Sequence, residues 1–377
     1  MCIRDSLLPE RLIGLSAHDF QQGVASKEVW LTRSIRDSEA ETLPSRWLNR
    51  LFNLLEGLSD KQPSLLSSMK TRGQFWLDLI ENYEKPKNKI ELAKRPSPIP
   101  PISCRPKALS VTQIENLIRD PYTIYAKYIL NLKPLKPLVQ KPDAALRGQI
   151  IHLIMEKFIN LTKDHWPKNP FDLLDQISNE ILLKYIPQNF VRLFWKRRIN
   201  SFSEHFIFTE KDRRKKTRPI LVEEKGSIEL RDLNFKLTGI FDRIDEDSKG
   251  NVTIYDYKTG VIPSDLVQQY FDKQLLLLAL IINKGGIKKL KHKKIKEAFY
   301  IDLSSNPKTH ENRLISQNLD VLFEDFKSLI LKYNDKTRGY MARRAVFETR
   351  WSGDYDHLSR FGEWDHTQTP NPEVIKK

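Results

Sequence analysis

One stretch of the chain, residues 239–258, constrains its fold more than any other, and it reads GIFDRIDEDSKGNVTIYDYK. Apolar and polar residues alternate at its two ends, which predicts two β-strands, and DEDSKGN between them predicts a hairpin turn. Alternation puts Asp242 on one face of the first strand, and Asp256 and Lys258 together on one face of the second. The hairpin therefore predicts two carboxylates and an ammonium group close together on one sheet face.

These charged groups share their faces with apolar residues, namely Ile240, Ile244 and Ile254. Ionised side chains in apolar surroundings are unfavourable unless another charge compensates them. A hard divalent cation, which prefers oxygen ligands, would provide that compensation. The alternative is a surface hairpin whose acidic residues pair with neighbouring lysines, and the local pattern leaves both explanations open.

Hydrolysis of a phosphodiester needs a cation on the scissile phosphate, an activated water and stabilisation of the charge that develops in the transition state. Asp242 and Asp256 would hold the metal, and Lys258 would orient and acidify the water or neutralise the developing charge. The backbone carbonyl of Tyr257 is a further candidate ligand. A helix predicted at 145–162 carries His152 and Glu156 nearly on one side, where both could face the carboxylates, although a lone histidine is more often an ordinary surface residue.

The net charge of +15 favours a polyanionic partner such as nucleic acid, although lysine-rich surfaces also serve solubility alone. The longest apolar run, LLLLALII at 275–282, is too short to span a bilayer, so no membrane association is expected. Two cysteines, Cys2 and Cys104, exclude a disulfide framework and suit a reducing cytoplasm. The start MCIRDSLLPE lacks the apolar core of a secretory signal.

The chain divides into four predicted regions. Residues 1–84 are mostly helical, as the apolar spacing of PSRWLNRLFNLLEGL at 44–58 indicates, with a short strand predicted for EVWLTRS at 28–34. Residues 85–107 are rich in proline and lysine and predict an extended linker. Residues 108–335 hold a strand pattern that begins at Ser227, the hairpin, a following helix from Ser264 to about Asn283 and a strand at 297–303. Residues 336–377 are predicted to form a tail that packs on the rest.

Four motifs occur in a specific order: RGQIIH (147–152), GIFD (239–242), DYKTG (256–260) and KQLLLLAL (273–280). Together they resemble the RecB-type branch of the PD-(D/E)xK nuclease superfamily. The resemblance implies an α/β fold with a mixed central sheet flanked by helices. It also implies that His152, Asp242, Asp256 and the Tyr257 carbonyl bind Mg2+, or Mn2+ as an alternative, that Lys258 is catalytic, and that Gln274 lies near the site or the DNA.

A closer likeness, through LPERLIGLSAHDF, VWLTRS, LSVTQIENLIRDPYTIYAKYIL and the tail RRAVFETRWSGDYDHLSRFGEW, extends over nearly the whole chain. These segments resemble the C-terminal part of the AddB family, subunits of helicase-nucleases that process double-strand DNA ends for recombinational repair. The likeness implies a metal-dependent deoxyribonuclease, expected to be an exonuclease, that leaves 3'-hydroxyl and 5'-phosphate ends. It also implies an AddA-like partner subunit, and a helicase-like remnant in residues 1–84.

Some features depart from that family. Some members of the family bind an iron–sulfur cluster with four cysteines; this chain lacks those cysteines, so no cluster is expected. In addition, Leu278 stands where many relatives have tyrosine. The chain has no phosphate-binding loop of the G-x-x-x-x-G-K-[ST] type, so ATP dependence is expected only within a complex. A catalytically silent DNA-binding or scaffold subunit remains the alternative. Basic stretches at 194–198, 211–218 and 288–296 would line a DNA channel or form a solvated face.

Overall fold

The computed structural model describes residues 9–37, 40–58, 64–88, 91–135, 142–305, 307, 319–345 and 353–375. Its contacts divide the chain into two units, Met1–Glu91 and Leu92–Lys377. Among its described residues, the first unit has three helices, α1 (Pro9–Val24), α2 (Arg46–Gly57) and α3 (Leu65–Glu84). The predicted helical character of this region is therefore confirmed for the residues that the structure describes.

The second unit combines helices with two sheets. Its strands are β1 (Pro96–Ile99), β2 (Ala108–Ser110), β3 (Thr217–Leu230), β4 (Phe235–Asp247), β5 (Val252–Lys258), β6 (Ile295–Asp302) and β7 (Asn371–Val374). Its helices are α4 (Val111–Arg119), α5 (Pro121–Ile124), α6 (Ala144–Thr162), α7 (Pro170–Tyr185), α8 (Asn189–Arg214), α9 (Asp265–Tyr270), α10 (Gln274–Asn283), α11 (Leu319–Asn334) and α12 (Asp356–Ser359). The predicted mixed α/β fold is confirmed.

The larger sheet has parallel and antiparallel pairs, and its central strand is β4. Strand β3 pairs antiparallel along one edge of β4. The other edge pairs with β2 at Lys236–Thr238 and with β5 at Arg243–Glu246. Strand β6 then pairs parallel with β5, and each Cα of Asp256 and Lys258 has a partner on β6. Residues 239–242 of β4 lie between the segment that pairs with β2 and the segment that pairs with β5. This gap ends at Asp242 and positions the site.

Helices cover both faces of the larger sheet. Helix α10 packs in a cluster with Leu237, Phe241 and Ile254, and residues 275–282 of this helix are all buried. A helix that is apolar on every side must be enclosed by the rest of the protein. Helices α6, α7 and α8 form a second cluster with Tyr255 and Tyr257 on the other side of β5. The sheet is thus a middle layer between two apolar clusters.

A buried ion network fixes β4 from the side of α8. The guanidinium of Arg243 donates to Glu210 of α8 at 2.7 Å and to both carboxylate oxygens of Asp245, at 2.6 and 2.7 Å. All three side chains are fully buried. Such a network is strongly destabilised when one partner is removed, because an uncompensated charge then remains buried.

Three local predictions need correction. Residues 28–34 form no strand, because the backbone bridge in this described part of the first unit joins Arg36 to Glu41 instead. Residues Pro96–Ile99, predicted as linker, are a strand paired with Asn371–Val374, since proline disfavours a helix but tolerates an edge strand. The helix predicted from Ser264 to Asn283 is two helices, α9 and α10.

The C-terminal residues contact other parts of the second unit at several points. Tyr340 donates its backbone N–H to the Pro98 carbonyl, and the Tyr355 hydroxyl donates to the Leu132 carbonyl. Residues 346–352 and 376–377 of the predicted tail lie outside the described residues. Among the helices of the described part of the chain, none has the length and apolar character that would cross a membrane.

Candidate metal centre

Asp242 occupies the gap between the two partners of β4. The register of β4 with β5 ends at the pair Arg243–Tyr255, so the backbone N–H of Tyr257 has no β4 carbonyl opposite it. That N–H instead donates to the Asp242 carboxylate at 2.8 Å. A buried backbone donor needs an acceptor, and here a side chain takes the place of the next ladder bond. The widening of the strands thus fixes the Asp242 carboxylate beside the end of β5.

Helix α6 brings His152 to the same point. Its Nε2 lies 3.0 Å from the Tyr257 carbonyl oxygen, and its Nδ1 lies 3.5 Å from Asp242 Oδ2. The helix starts at an N-cap in which Asp143 accepts from the Leu146 backbone N–H. The structure therefore brings together three of the predicted ligand groups: the His152 ring, the Asp242 carboxylate and the Tyr257 carbonyl.

Glu223 of β3 is a member of the site that the sequence analysis missed. It lies between the pairs Val222–Arg243 and Glu224–Phe241, which places it opposite Asp242 and on the same face. Ligand atoms of His152, Glu223 and Asp242 all lie within 4.8 Å of one another. In the sequence, only the run of charged residues at 223–225 indicates Glu223. Because the strand pattern was predicted to begin at 227, the register that pairs Glu223 with β4 could not be predicted.

The backbone at Glu223 is also unusual. Its φ angle is 50°, in the left-handed region that residues other than glycine rarely adopt. Backbone conformations of this kind cost about 1–3 kcal/mol and persist where the surrounding structure imposes them. The pairing of β3 with β4 continues on both sides of Glu223 and holds it in place.

Asp256 and Lys258, from the end of β5, are joined by Gln274 at the start of α10. The Gln274 side-chain N–H donates to Asp256 Oδ1, and its carbonyl oxygen accepts from the Lys258 ammonium at 2.9 Å. The ammonium also lies 2.9 Å from Asp256 Oδ2, so the two groups form an ion pair. Gln274 thus lies beside both Asp256 and Lys258.

The break before α10 explains how Gln274 reaches this position. Asp272 lies in this break and accepts two hydrogen bonds. Its Oδ1 accepts from the backbone N–H of Gln274 at 3.0 Å, and its Oδ2 accepts from the Tyr300 hydroxyl at 3.1 Å. Tyr300 pairs with Asp256 across β5 and β6, and the Lys258 ammonium lies 5.0 Å from the centre of its ring. The sequence alone could not place this break, because residues 264–283 are compatible with one helix.

Burial and mutual repulsion perturb the acidic groups. Burial, and then the charge of Asp242, raise the pKa of the Glu223 carboxyl to about 7. Burial raises the pKa of Asp256 to about 6, although Lys258 opposes the rise and Asp242 adds to it. Burial alone would lower the pKa of Lys258. The attraction of the Asp256 carboxylate is the stronger effect, so the pKa of Lys258 is raised. Lys258 is therefore a protonated ammonium at neutral pH beside a crowded set of carboxyl groups.

The donor set fits a hard divalent cation. It offers carboxylate oxygens, one imidazole and one backbone carbonyl, which are ligands of Mg2+ and Mn2+. The raised pKa values of Glu223 and Asp256, caused first by burial and then by neighbouring charges, indicate carboxylates whose charge an added cation would compensate. Asp256 does not belong to the 4.8 Å cluster of the other three side chains, so it borders this cluster from the side of Lys258.

A cleft of about 960 Å³ opens over the site. His152, Glu223, Asp242 and Gln274 line one part of it. Other lining residues come from the start of α4 and from the exposed face of β3 and β4, among them Thr112, Lys225, Ser227, Lys236 and Thr238. The acidic cluster can therefore be reached by a large ligand. The basic stretches at 194–198, 211–218 and 288–296 are not part of this lining.

The chain belongs to the PD-(D/E)XK nuclease superfamily, whose family model matches residues 108–352. Among curated proteins it is similar to an uncharacterised protein of Rickettsia conorii, 35% identical over 191 residues, which are 49% of this chain and 23% of that protein. An uncharacterised protein of Rickettsia typhi is 36% identical over 188 residues, 48% of this chain and 22% of that protein.

A more distant relative carries a descriptive name. This protein, one of the subunits of an ATP-dependent helicase/deoxyribonuclease of Streptococcus pyogenes serotype M49, is 28% identical over 170 residues, 43% of this chain and 15% of that protein. The matched region spans less than a quarter of the length of each of these relatives. The comparisons therefore show the nuclease superfamily, and the finer assignment is a matter for proposal.

Proposed function

We propose that this chain is the nuclease part of a DNA-end-processing subunit and hydrolyses phosphodiester bonds of DNA with Mg2+ or Mn2+. The observation that carries the proposal is the convergence of His152, Glu223 and Asp242 beside the Asp256–Lys258 pair. The similarity to a helicase/deoxyribonuclease subunit supports an AddA-like partner that supplies the ATP-driven motor. Its place of action would be the cytoplasm.

In this proposal the ion would be held by His152, Glu223, Asp242, Asp256 and the Tyr257 carbonyl. When bound, it would supply the positive charge that polarises the scissile phosphate. Water would attack phosphorus while the bond from phosphorus to the 3' oxygen breaks, leaving 3'-hydroxyl and 5'-phosphate ends.

Lys258 has two tasks in this reaction. Because its pKa is raised by Asp256, it would act as a cation and hydrogen-bond donor rather than as a base. It would orient the attacking water and stabilise the negative charge that develops on the phosphoryl oxygens. Gln274 would keep the ammonium and the Asp256 carboxylate in fixed relation, since its side chain bonds to both.

The alternative of a catalytically silent DNA-binding or scaffold subunit is less consistent with this geometry. A subunit without catalysis has no need for carboxyl groups whose pKa values are raised by burial, such as Glu223 and Asp256. Perturbed groups that converge in a cleft are more common at functional sites, although structural networks also produce them.

The test is a cleavage assay with end-labelled single-stranded and duplex DNA and the 377-residue chain, in Mg2+, in Mn2+ and in EDTA. We expect metal-dependent cleavage that Asp256→Asn and Lys258→Met each abolish. Asp232→Asn and Lys249→Met, which change the same side chains at exposed positions, are the matched controls and should cleave normally. Extension of the products by a polymerase would identify 3'-hydroxyl ends. Cleavage by Asp256→Asn at the wild-type rate would exclude this site.

A further inference from the structure

Besides Arg338, two arginines of the described residues have a buried Nε atom without an acceptor, and neither makes a side-chain hydrogen bond or an ion pair. They are Arg147, which begins the RGQIIH motif near the start of α6, and Arg198, in the FWKRR segment of α8. The Nε atom of each is buried and has no acceptor. This arrangement is unusual for the Nε atoms, because buried polar groups nearly always have a hydrogen-bond partner, and the rest of each half-buried guanidinium is left free to bind a ligand.

The packing of the helices brings the two arginines to the same region. The rings of Phe158 and Phe206 lie 6.1 Å apart, and Arg214 donates to Thr162 at 2.8 Å. These two contacts show that α6 and α8 run in the same direction. The first turns of α6, with Arg147, therefore lie beside the first half of α8, with Arg198.

The electrostatics agree with this placement. Burial, and next the charge of Arg198, lower the pKa of the Arg147 guanidinium. Two other partly buried arginines of α8 have acceptors: Arg192 donates to the Ile186 and Pro187 carbonyls, and Arg213 donates to Glu210. Two like charges that repel each other without a counter-charge reduce the stability of the fold, so an anionic ligand is the missing partner.

The position of the pair relates it to the metal centre. The Cβ position of Gly148, next to Arg147, lies 3.5 Å from the Thr259 hydroxyl, directly after Lys258 in the chain. His152 follows Arg147 by five residues, about 7.5 Å along the axis of the same helix. An arginine fork is well suited to the oxygens of a phosphate group. The start of α6 thus joins the two unpartnered arginines to the loop that leaves the metal centre.

We propose that Arg147 and Arg198 form a second anion site that binds a backbone phosphate of the nucleic acid strand, away from the scissile phosphate. The identification of this phosphate as part of the DNA substrate rests on the proposed nuclease function. The site itself rests on the two unpartnered guanidiniums. It would hold the strand beside the start of α6, next to Gly148 of the cleft lining, while the metal centre acts on another phosphate.

The experiment measures binding of a fluorescent single-stranded DNA oligonucleotide by anisotropy, with every protein in the Lys258→Met background and Ca2+ present so that cleavage does not consume the probe. We expect each of the substitutions Arg147→Gln and Arg198→Gln to weaken DNA binding by about tenfold. Each should also reduce the magnitude of the slope of log affinity against log salt concentration by about one. Arg197→Gln removes the same charge from the next, exposed position of α8 and should change affinity by less than about twofold.

Thermal unfolding separates a ligand site from a structural role. Removing one of two repelling charges should leave the Tm of Arg147→Gln and Arg198→Gln unchanged or higher without DNA, whereas loss of a structural arginine lowers it. The proposal is overturned if either variant binds DNA as tightly as its background, if the loss equals that of Arg197→Gln, or if Tm falls. It is also overturned if millimolar inorganic phosphate displaces the oligonucleotide, which would identify a site for free phosphate.

The outcomes also separate this proposal from the proposed function. If the wild-type chain cleaves no DNA in any metal but Arg147 and Arg198 still govern binding, the phosphate site stands and the nuclease function fails. If cleavage occurs and depends on Asp256 while both arginine variants bind normally, the nuclease function stands and the second anion site is excluded.

Discussion

Replacement of Asp256 by asparagine should stabilise the metal-free protein at alkaline pH while it abolishes activity. Asp256 is almost completely buried, and burial raises its pKa from the ordinary value of 3.8 to about 6. Ionisation of this group therefore costs the folded state on the order of 3 kcal/mol above pH 6. Asparagine has a similar shape and no charge, so it removes that cost.

The sign of the effect follows from the two pKa values. Below pH 3.8 the carboxyl group is protonated in both states, and the variant should have the same free energy of unfolding as the wild type. Between 3.8 and about 6 the folded protein keeps the proton that the unfolded chain loses, so the wild type loses stability as pH rises. Above about 6 the full difference is present.

The assay is urea unfolding in EDTA at pH 4 and pH 8, for the wild type, for Asp256→Asn and for the exposed control Asp232→Asn. A repeat in Mg2+ should stabilise the wild type more than Asp256→Asn, because a ligand that binds the folded state adds to its stability. The reasoning is refuted if Asp256→Asn is less stable than the wild type at pH 8 in EDTA. Asp256 would then be a favourable partner of Lys258 and not an undercompensated charge.

Three further substitutions test other parts of the structure. Lys258→Met should lower kcat by at least about a hundredfold with little change in metal affinity, measured by single-turnover cleavage and calorimetry, because a transition-state donor is lost. Gly239→Ala should destabilise the fold by about 1–3 kcal/mol in urea unfolding, since its Cβ would meet Leu278 at 2.6 Å; Gly260→Ala, with open space around it, is the control. Arg243→Met should cost roughly 3–5 kcal/mol in the same assay, because buried carboxylates lose their counter-charge, and a loss below about 1 kcal/mol would contradict that account.

The strands and the hairpin could be predicted because their signal is local. Period-two alternation and the turn residues define β4 and β5 within about 20 residues, and Gly250 has the positive φ of 79° that a turn glycine can adopt. The same local pattern identified Asp242, Asp256 and Lys258 as candidate site residues. Their assignment as metal ligands or catalytic groups stays a prediction.

Glu223 could not be predicted, because its role depends on the partner of a strand and not on its own pattern. The first half of β3 contains consecutive charged residues and does not alternate, so the strand was predicted to begin ten residues too late. Only the register with β4 places Glu223 opposite Asp242. The break between α9 and α10 has the same cause, since it depends on Asp272 receiving the Tyr300 hydroxyl from a distant strand.

The opposite sides of β4 show how the protein can hold such an unfavourable cluster. Asp242 takes the place of a ladder bond, and Glu223 opposite it adopts a rare backbone conformation that costs stability. The next residue, Arg243, is turned toward α8 and is fixed by bonds to Glu210 and Asp245. Because side chains alternate along a strand, fixing Arg243 on one side also fixes the direction of Asp242 on the other. A loosened Arg243 network should therefore weaken metal binding at Asp242 without any change in the ligands themselves.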